Sequence, residues 1–412
     1  MEALAKEFDA VIVGSGPGGA TVAKELSQNK KKVLILEWGS NAPIKGSLLQ
    51  CMSMVAVPGK SLLITNKKMT LLFRGITTGG SSVFYCGTAF DPPFEMLESY
   101  GIDISDEIGE LKAELPIKPL SDELMGPMAK RMMDSARDLG YDWNKINKFI
   151  IQDKCKTDCW KCSFGCPDGA KWNARFYVEE AVANGATLVN GAKVTKVLFD
   201  GKKAIGVEFK EGFRTCQVHA PMTVIAAGGI GSSAILKRSG FDKVGYDFFF
   251  DPLVFAMGMV RDIRQGKELQ MAAGMHVKGE YVMTDLTLPK SPLLSIMIKV
   301  KDELGGRITN GGGVRKDLSI ADKQKLRKGY EQAKKILKNA GCKNVFKSFT
   351  TAAHPGGSVK IGEVLDSNLK TEYDNLYVCD CSIIPEAWGL PPTLTILGLG
   401  KRLSKHLLKE TA

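Results

Sequence analysis

The chain contains no stretch of eighteen or more consecutive apolar residues, the length a membrane-spanning helix requires. Its start, MEALAKEFDAVIVG, shows no charged-then-apolar leader and no small-residue cleavage site, and moves almost at once into an apolar strand. Both absences lead to the expectation of a soluble, cytoplasmic protein. Histidine is scarce, with four residues (His219, His276, His354 and His406) in 412, which narrows the search for an imidazole acid or base. No nucleic-acid-binding motif accompanies the net charge of +11, so no nucleic-acid partner is expected. The excess of Lys comes from stretches such as NKKK at 29–32 and the helix-like KQKLRKGYEQAKKILKNAGCKNVFK at 323–347. A solvated helix face is the plain reading of that pattern, and docking of an acidic partner such as ferredoxin, or of an anionic surface, is the functional one. Cysteine is not scarce: there are ten, and without a leader their clustering reads as reduced thiols used as ligands, not as a disulfide scaffold.

What is present begins with FDAVIVGSGPGGATVAKELSQNKKKVLILEWGS, in the order strand, glycine-rich turn, helix, strand. Gly14, Gly16 and Gly19 have the G-x-G-x-x-G spacing, with Ser15 and Gly18 in the same turn. The first glycine permits the tight turn, the second lets backbone approach a pyrophosphate, and the third lets helix and strand pack closely. The helix N-terminus offers unpaired N–H groups and the positive end of its dipole to phosphate. Glu37, eighteen residues past Gly19, ends the second strand, where a carboxylate can accept from a ribose diol. Dinucleotide binding follows. The motif alone does not separate FAD from NAD, but the alternating strands of 191–229, with a turn at Asp200 to Lys203 and a closing Gly pair, favour FAD.

Cys155, Cys159, Cys162 and Cys166 form C-x3-C-x2-C-x3-C-P, close to the bacterial ferredoxin run C-x2-C-x2-C-x3-C-P. Zinc more often uses two Cys pairs separated by a dozen or more residues, so a [4Fe–4S] cluster is the expected occupant, with structural thiols as the alternative. One ligand could instead come from Cys51, Cys86 or Cys342.

Several stretches together resemble the glucose-methanol-choline (GMC) oxidoreductases, especially the cholesterol oxidase and long-chain alcohol oxidase branches. They are the N-terminal fingerprint, RGITTGGSSV at 74–83, GCPDGAKWNARFYVEEAVANGATLVNGAKV at 165–194, AAGGIGSSAILKRSGF at 226–241, HPGGSVKIG at 354–362 and NLYVCDCSIIPEAWGLPPTLTILGLGKRL at 375–403, in the family's order. The resemblance implies an α/β fold: a Rossmann-like, discontinuous FAD-binding domain with an inserted, shortened substrate domain built on a β-sheet. The corresponding segments are 1–90, 176–241 and 351–412 for the FAD domain, 91–150 for a helical cover, 151–175 for the cysteine loop and 242–350 for the substrate domain. It also implies that Val194 meets the adenine through its backbone, that Gly79, Gly80, Ser81 and Ser82 line the flavin, and that Asp380 with the following helix start holds the ribityl and flavin end. Trp38, Arg74, Ala227, Pro392 and Thr393 complete the implied cofactor set.

By the same resemblance His354 is the active-site histidine, facing flavin N5 and a substrate hydroxyl, and an imidazole has the pKa that removal of a hydroxyl proton at neutral pH needs. His219 and His406 are expected to be structural or exposed, and His276 to stand outside the chemistry. The pattern breaks at Pro391, where cholesterol-oxidase-like members carry Asn. Proline has no side-chain donor or acceptor, so the substrate oxygen loses one of two anchors. Tyr85, Cys86, Cys379, Cys381 and Trp388 could reshape the pocket around that gap. The expectation is an FAD-dependent dehydrogenase moving a hydride between flavin and a small, mostly apolar alcohol or carbonyl substrate, with electrons exchanged through the cluster to a protein carrier. A C–C double-bond reductase or desaturase, and an electron-transfer subunit without its own substrate, stand as alternatives. Oligomeric state is not legible.

Overall fold

The computed structural model describes residues 7–263, 267–288 and 290–410. Strands β1 (Ala10–Val13) and β2 (Val33–Glu37) are buried at every position, and their unbroken apolar runs suit a parallel sheet covered on both faces. The sheet has five parallel strands in the order Leu376–Val378, Thr223–Ile225, β1, β2, Thr187–Asn190. From the central β1 the chain first adds strands on one side and later returns to add them on the other. The carboxyl ends beside β1 therefore form the crevice where open α/β sheets bind ligands.

Helix α1 (Pro17–Gln28) leaves that crevice with Pro17 in its first turn, where a missing N–H costs nothing. It lies against the C-terminal helix Thr393–Glu410 and the helix Arg175–Ala183. A Cβ on Gly400 would stand 3.0 Å from Thr21 Cβ, so the C-terminal helix approaches α1 closely only because that position is bare. The meander expected from alternation is present as Ala192–Asp200, Lys203–Glu211 and Arg214–His219, all antiparallel.

The second layer is a nine-stranded sheet with Pro252–Met259, Leu293–Val300, Tyr281–Asp285 and Ala273–Val277 in sequence across its middle. It also takes Leu62–Ile64 and Leu71–Phe73 from the 1–90 segment, Asn144–Lys145 from 91–150 and Thr351–Ala352 from 351–412. The substrate layer is thus stitched from more of the chain than the 242–350 insert. The Lys-rich stretch divides into the helix Ile320–Asn339 and the strand Lys343–Lys347. The helix buries Leu326, Ala333, Ile336 and Leu337 against the sheet and turns its lysines outward, which gives this layer its own apolar core. Among the described residues no helix is long and apolar enough to cross a membrane.

Candidate active site and cofactor cavity

A cavity of ≈ 520 Å³ opens at the carboxyl ends of β1 and β2. Gly14, Ser15, Gly16, Gly18, Glu37 and Trp38 line it from the first βαβ unit. Arg74, Gly80, Ser81, Ser82, Val194, Ala227, Asp380, Pro392, Thr393 and His354 line it from the rest of the chain. Gly19, Gly79 and Pro391 are not on its wall.

The glycines divide the work. Gly14 has φ +101, and a Cβ there would stand 2.3 Å from the Ala226 carbonyl oxygen. A Cβ on Gly19 would stand 2.1 Å from the Gly14 carbonyl oxygen, so this residue sets the close packing of helix on turn. Gly16 is different: a Cβ there meets nothing within 4 Å, because the position faces the cavity at the N-terminus of α1. That open ground beside unpaired helix N–H groups fits a dinucleotide pyrophosphate.

Glu37 braces this turn. Its Oε2 accepts from Ser15 N (3.1 Å) and Ser15 Oγ (2.6 Å), and its Oε1 from Gly39 N (2.6 Å). Gly79 N in turn donates to Ser15 Oγ at 3.1 Å, which ties the 79–82 loop to the glycine-rich turn. Burial raises the Glu37 carboxyl above its ordinary value, against the pull of these donors. At the same end Lys60, Lys193 and Arg74 lie 5.1, 4.4 and 5.9 Å from the Trp38 ring centroid. Arg238 also lines the cavity. Among the described residues none of these four cations forms a salt bridge with a carboxylate, Lys60 acting on Glu37 only through space, and burial brings Arg74 down to about 10. An anionic ligand suits this end. At the other end Asp380, 5% exposed, accepts from Gly228 N (2.8 Å), Ser232 Oγ (2.5 Å) and Ser382 N (2.7 Å).

His354 follows the strand Thr351–Ala352 with φ +50, a left-handed conformation uncommon outside glycine. Its Nδ1 lies 3.1 Å from Asp251 Oδ2, and Lys299 Nζ donates to the same oxygen at 2.6 Å and to the Gly389 carbonyl at 2.6 Å. Asp251 and Lys299 are each 1% exposed in their side chains. Sequence reasoning missed both. The signal was a lone charge inside an apolar run, in FFFDPLVF and in LLSIMIKV, since charged groups are almost never fully buried unless paired. His219 and His276 are exposed, and His406 sits 3.3 Å from Glu410 on the last helix. Tyr85 and Cys381 line the cavity, whereas Cys86, Cys379 and Trp388 are buried elsewhere.

The cysteine loop holds four free thiols. Cys162 is buried and the other three are half-buried. Among the described residues no three His, Cys, Asp or Glu side chains are grouped to hold a metal ion. Burial, with neighbouring thiols, pushes Cys155 up to about 12. Ser163, next to Cys162, lines the main cavity, so the loop abuts the cofactor site.

A parallel sheet with an anion-receiving helix end, closed over by a second β-sheet that delivers a histidine to the same cavity, defines a two-domain dinucleotide-dependent oxidoreductase. The chain belongs to the GMC oxidoreductase family, whose N-terminal domain matches residues 8–253 and whose C-terminal domain matches residues 314–400. It is thereby an FAD-dependent oxidoreductase. Among similar proteins, "Uncharacterized protein MJ1450" of Methanocaldococcus jannaschii is 29% identical over 97% of this chain and 100% of its own length. The long-chain-alcohol oxidase FAO1 of Arabidopsis thaliana is 24% identical over 97% of this chain, which spans 66% of that protein. The fold is shared with pyridoxine 4-oxidase from Mesorbium loti, with TM-score 0.78, 18% identity, and 98% of this chain and 99% of that one covered.

Proposed function

We propose that this enzyme moves a hydride between FAD and a mostly apolar substrate at a hydroxyl- or carbonyl-bearing carbon, with His354 as the acid/base. The observation that carries the reading is the arrangement of His354. It stands on the wall shared with Gly16, Ser82 and Asp380, and its Nδ1 is occupied by Asp251, which leaves Nε2 to meet substrate. FAD, when bound, supplies the two-electron acceptor. The chain's own part is to bind and orient: the Gly16 turn and the Trp38 cations receive the phosphate end, and Asp380 and Ser82 stand at the other. Phe73, Phe84 and Ile230 give the wall an apolar character that suits an apolar substrate. His354 Nε2 takes the hydroxyl proton as the carbon loses its hydride, and returns it in the opposite direction. Pro391 adds no second anchor. Anaerobic mixing of the holoenzyme with long-chain primary alcohols, sterols and enones, followed by product analysis, tests the reading. Flavin bleaching with aldehyde or ketone formation supports it, and saturation or desaturation of a C–C bond as the only chemistry contradicts it.

For electron exit, the Cys155, Cys159, Cys162 and Cys166 loop is read as the seat of a [4Fe–4S] cluster that passes electrons to an acidic carrier such as ferredoxin. Three features favour this. Ser163 touches the cofactor cavity, and Lys171 N donates to Cys166 Sγ at 3.3 Å. The third is a pair of fully buried ammonium groups. Lys148 Nζ is held by the Cys86, Gln270 and Met271 carbonyls, and Lys171 Nζ by those of Val83, Tyr85 and Cys162. Among the described residues neither forms a salt bridge with a carboxylate, Asp285 acting on Lys148 only through space, and two such cations suit a net-anionic thiolate centre. Iron, sulfide and zinc analysis after anaerobic purification decides: about four irons per flavin supports the cluster. Flavin without iron, in protein never exposed to air, makes the thiols structural and returns oxygen as the acceptor. With ten unpaired cysteines, the cytoplasm is the compartment that suits this chemistry.

A further inference from the structure

Resting on the reading of His354 as acid/base, we infer that Asp251 and Lys299 are positioning residues for it: the carboxylate fixes the imidazole tautomer, and the ammonium offsets the carboxylate's charge.

The sheet builds this trio by register. Thr351–Ala352, Pro252–Met259 and Leu293–Val300 are three adjacent antiparallel strands, with Pro252 opposite Ala352 and Leu253 opposite both Thr351 and Lys299. His354 and Asp251 therefore leave neighbouring strand ends side by side, and Lys299 reaches the same point from the third strand. Ala353 N donates to the Phe250 carbonyl at 3.0 Å, which pins the turn that carries the imidazole. Asp251, like His354, has positive φ, +42. Two strained non-glycine residues meeting at one hydrogen bond mark a geometry that the surrounding sheet enforces.

Asp251 uses one oxygen for both partners, and its buried Oδ1 has none. A carboxylate facing Nδ1 makes that nitrogen the donor, so Nε2 carries the lone pair that a hydroxyl proton needs. Left alone, the same carboxylate would draw the imidazole toward its protonated form, which accepts nothing. Lys299 prevents this by neutralising Asp251 from 2.6 Å. Burial first and Lys299 second lower the His354 pKa from its ordinary value, against the upward pull of Asp251. Two further titratable groups act on the trio through space, Asp302 on Asp251 and His276 on Lys299. Asp302 accepts from Phe250 N and Asp251 N, and Lys316 lies 3.2 Å from it. Cys381 Sγ contacts the His354 carbonyl and not its ring, while the exposed His276 aligns with Lys299 only across Val282. Lys299 also binds the Gly389 carbonyl, and so fastens the loop before Pro391 to the imidazole's support.

With only four histidines, the test is direct. Holoenzyme labelled with nitrogen-15 histidine is titrated by NMR, with His354 assigned through His354→Gln, and FAD content serves as the check of folding. The expected result is an Nδ1–H tautomer at neutral pH and a protonation midpoint below the ordinary value of about 6.5. Lys299→Met should raise the midpoint by about one unit or more, and Lys299→Arg should restore it. Asp251→Asn should abolish the Nδ1–H preference. An Nε2–H tautomer in the wild type, or a midpoint that Lys299→Met leaves in place, overturns the inference. The reading it rests on is tested separately: 1-dodecanol reducing the flavin of His354→Gln as fast as wild type sinks the acid/base role, whatever the titration shows.

Discussion

At the residue scale, two neighbouring glycines of one turn carry opposite requirements. Gly18 is bare because a Cβ there would stand 1.9 Å from the Cys379 carbonyl oxygen, inside the protein's own packing. Gly16 is bare although the protein leaves its Cβ position open. Gly16→Val should therefore leave apoprotein stability within about 0.5 kcal/mol, as for a surface change, yet abolish FAD binding. Gly18→Ala should lower the melting temperature of the apoprotein itself. Thermal melts of apoprotein with a parallel FAD titration check both, and FAD affinity unchanged in Gly16→Val would remove the pyrophosphate from that position. The motif letters call for Gly16 but leave position 18 open, and they do not tell that one glycine faces ligand and the other faces chain. That distinction depends on Cys379, 361 positions away in sequence, which no local pattern reveals.

At the scale of elements, what the sequence made legible was periodic or punctuated. The apolar runs of β1 and β2 and the turn between Asp200 and Lys203 appear where alternation predicts them, whereas the helix-like 323–347 stretch is helical only to Asn339 and ends in the strand Lys343–Lys347. What stayed hidden was pairing across distance. The substrate sheet recruits Leu62–Ile64 and Leu71–Phe73, three-residue strands too short for their alternation to be read. The Asp251–Lys299–His354 trio depends on sheet register, which a single sequence does not carry. The helix Ile320–Asn339 starts three residues ahead of the stretch that reads as helix-like, at a capping box: Ser319 Oγ accepts from Asp322 N at 3.0 Å, and Asp322 Oδ2 from Ser319 N at 2.9 Å. Ser319→Ala should cost about 1 kcal/mol. A denaturant midpoint shift at constant m-value would measure it, and because the helix packs on the substrate sheet and is not on the wall of the cofactor cavity, FAD affinity should not follow.

At the scale of the whole molecule, the cavity joins two layers with separate apolar cores, one around the parallel sheet and one around the nine-stranded sheet. A cofactor held between them acts as a shared tie. Binding to the folded state alone adds about 2.7 kcal/mol at a hundredfold excess over Kd. Removing FAD should therefore lower the melting temperature, and should raise amide exchange both in the glycine-rich turn and in the His354 turn. Exchange changes confined to one layer would mean that the cofactor rests on that layer alone.

The central claim is that one histidine on the cofactor's wall carries the proton of a hydride transfer. The measurement that tests it most directly is anaerobic stopped-flow bleaching of the bound flavin by an apolar alcohol, in wild type and in His354→Ala at equal FAD content. The account predicts full occupancy in both and a bleaching rate lower by about 10²-fold or more in the variant. Equal rates at equal occupancy would contradict it.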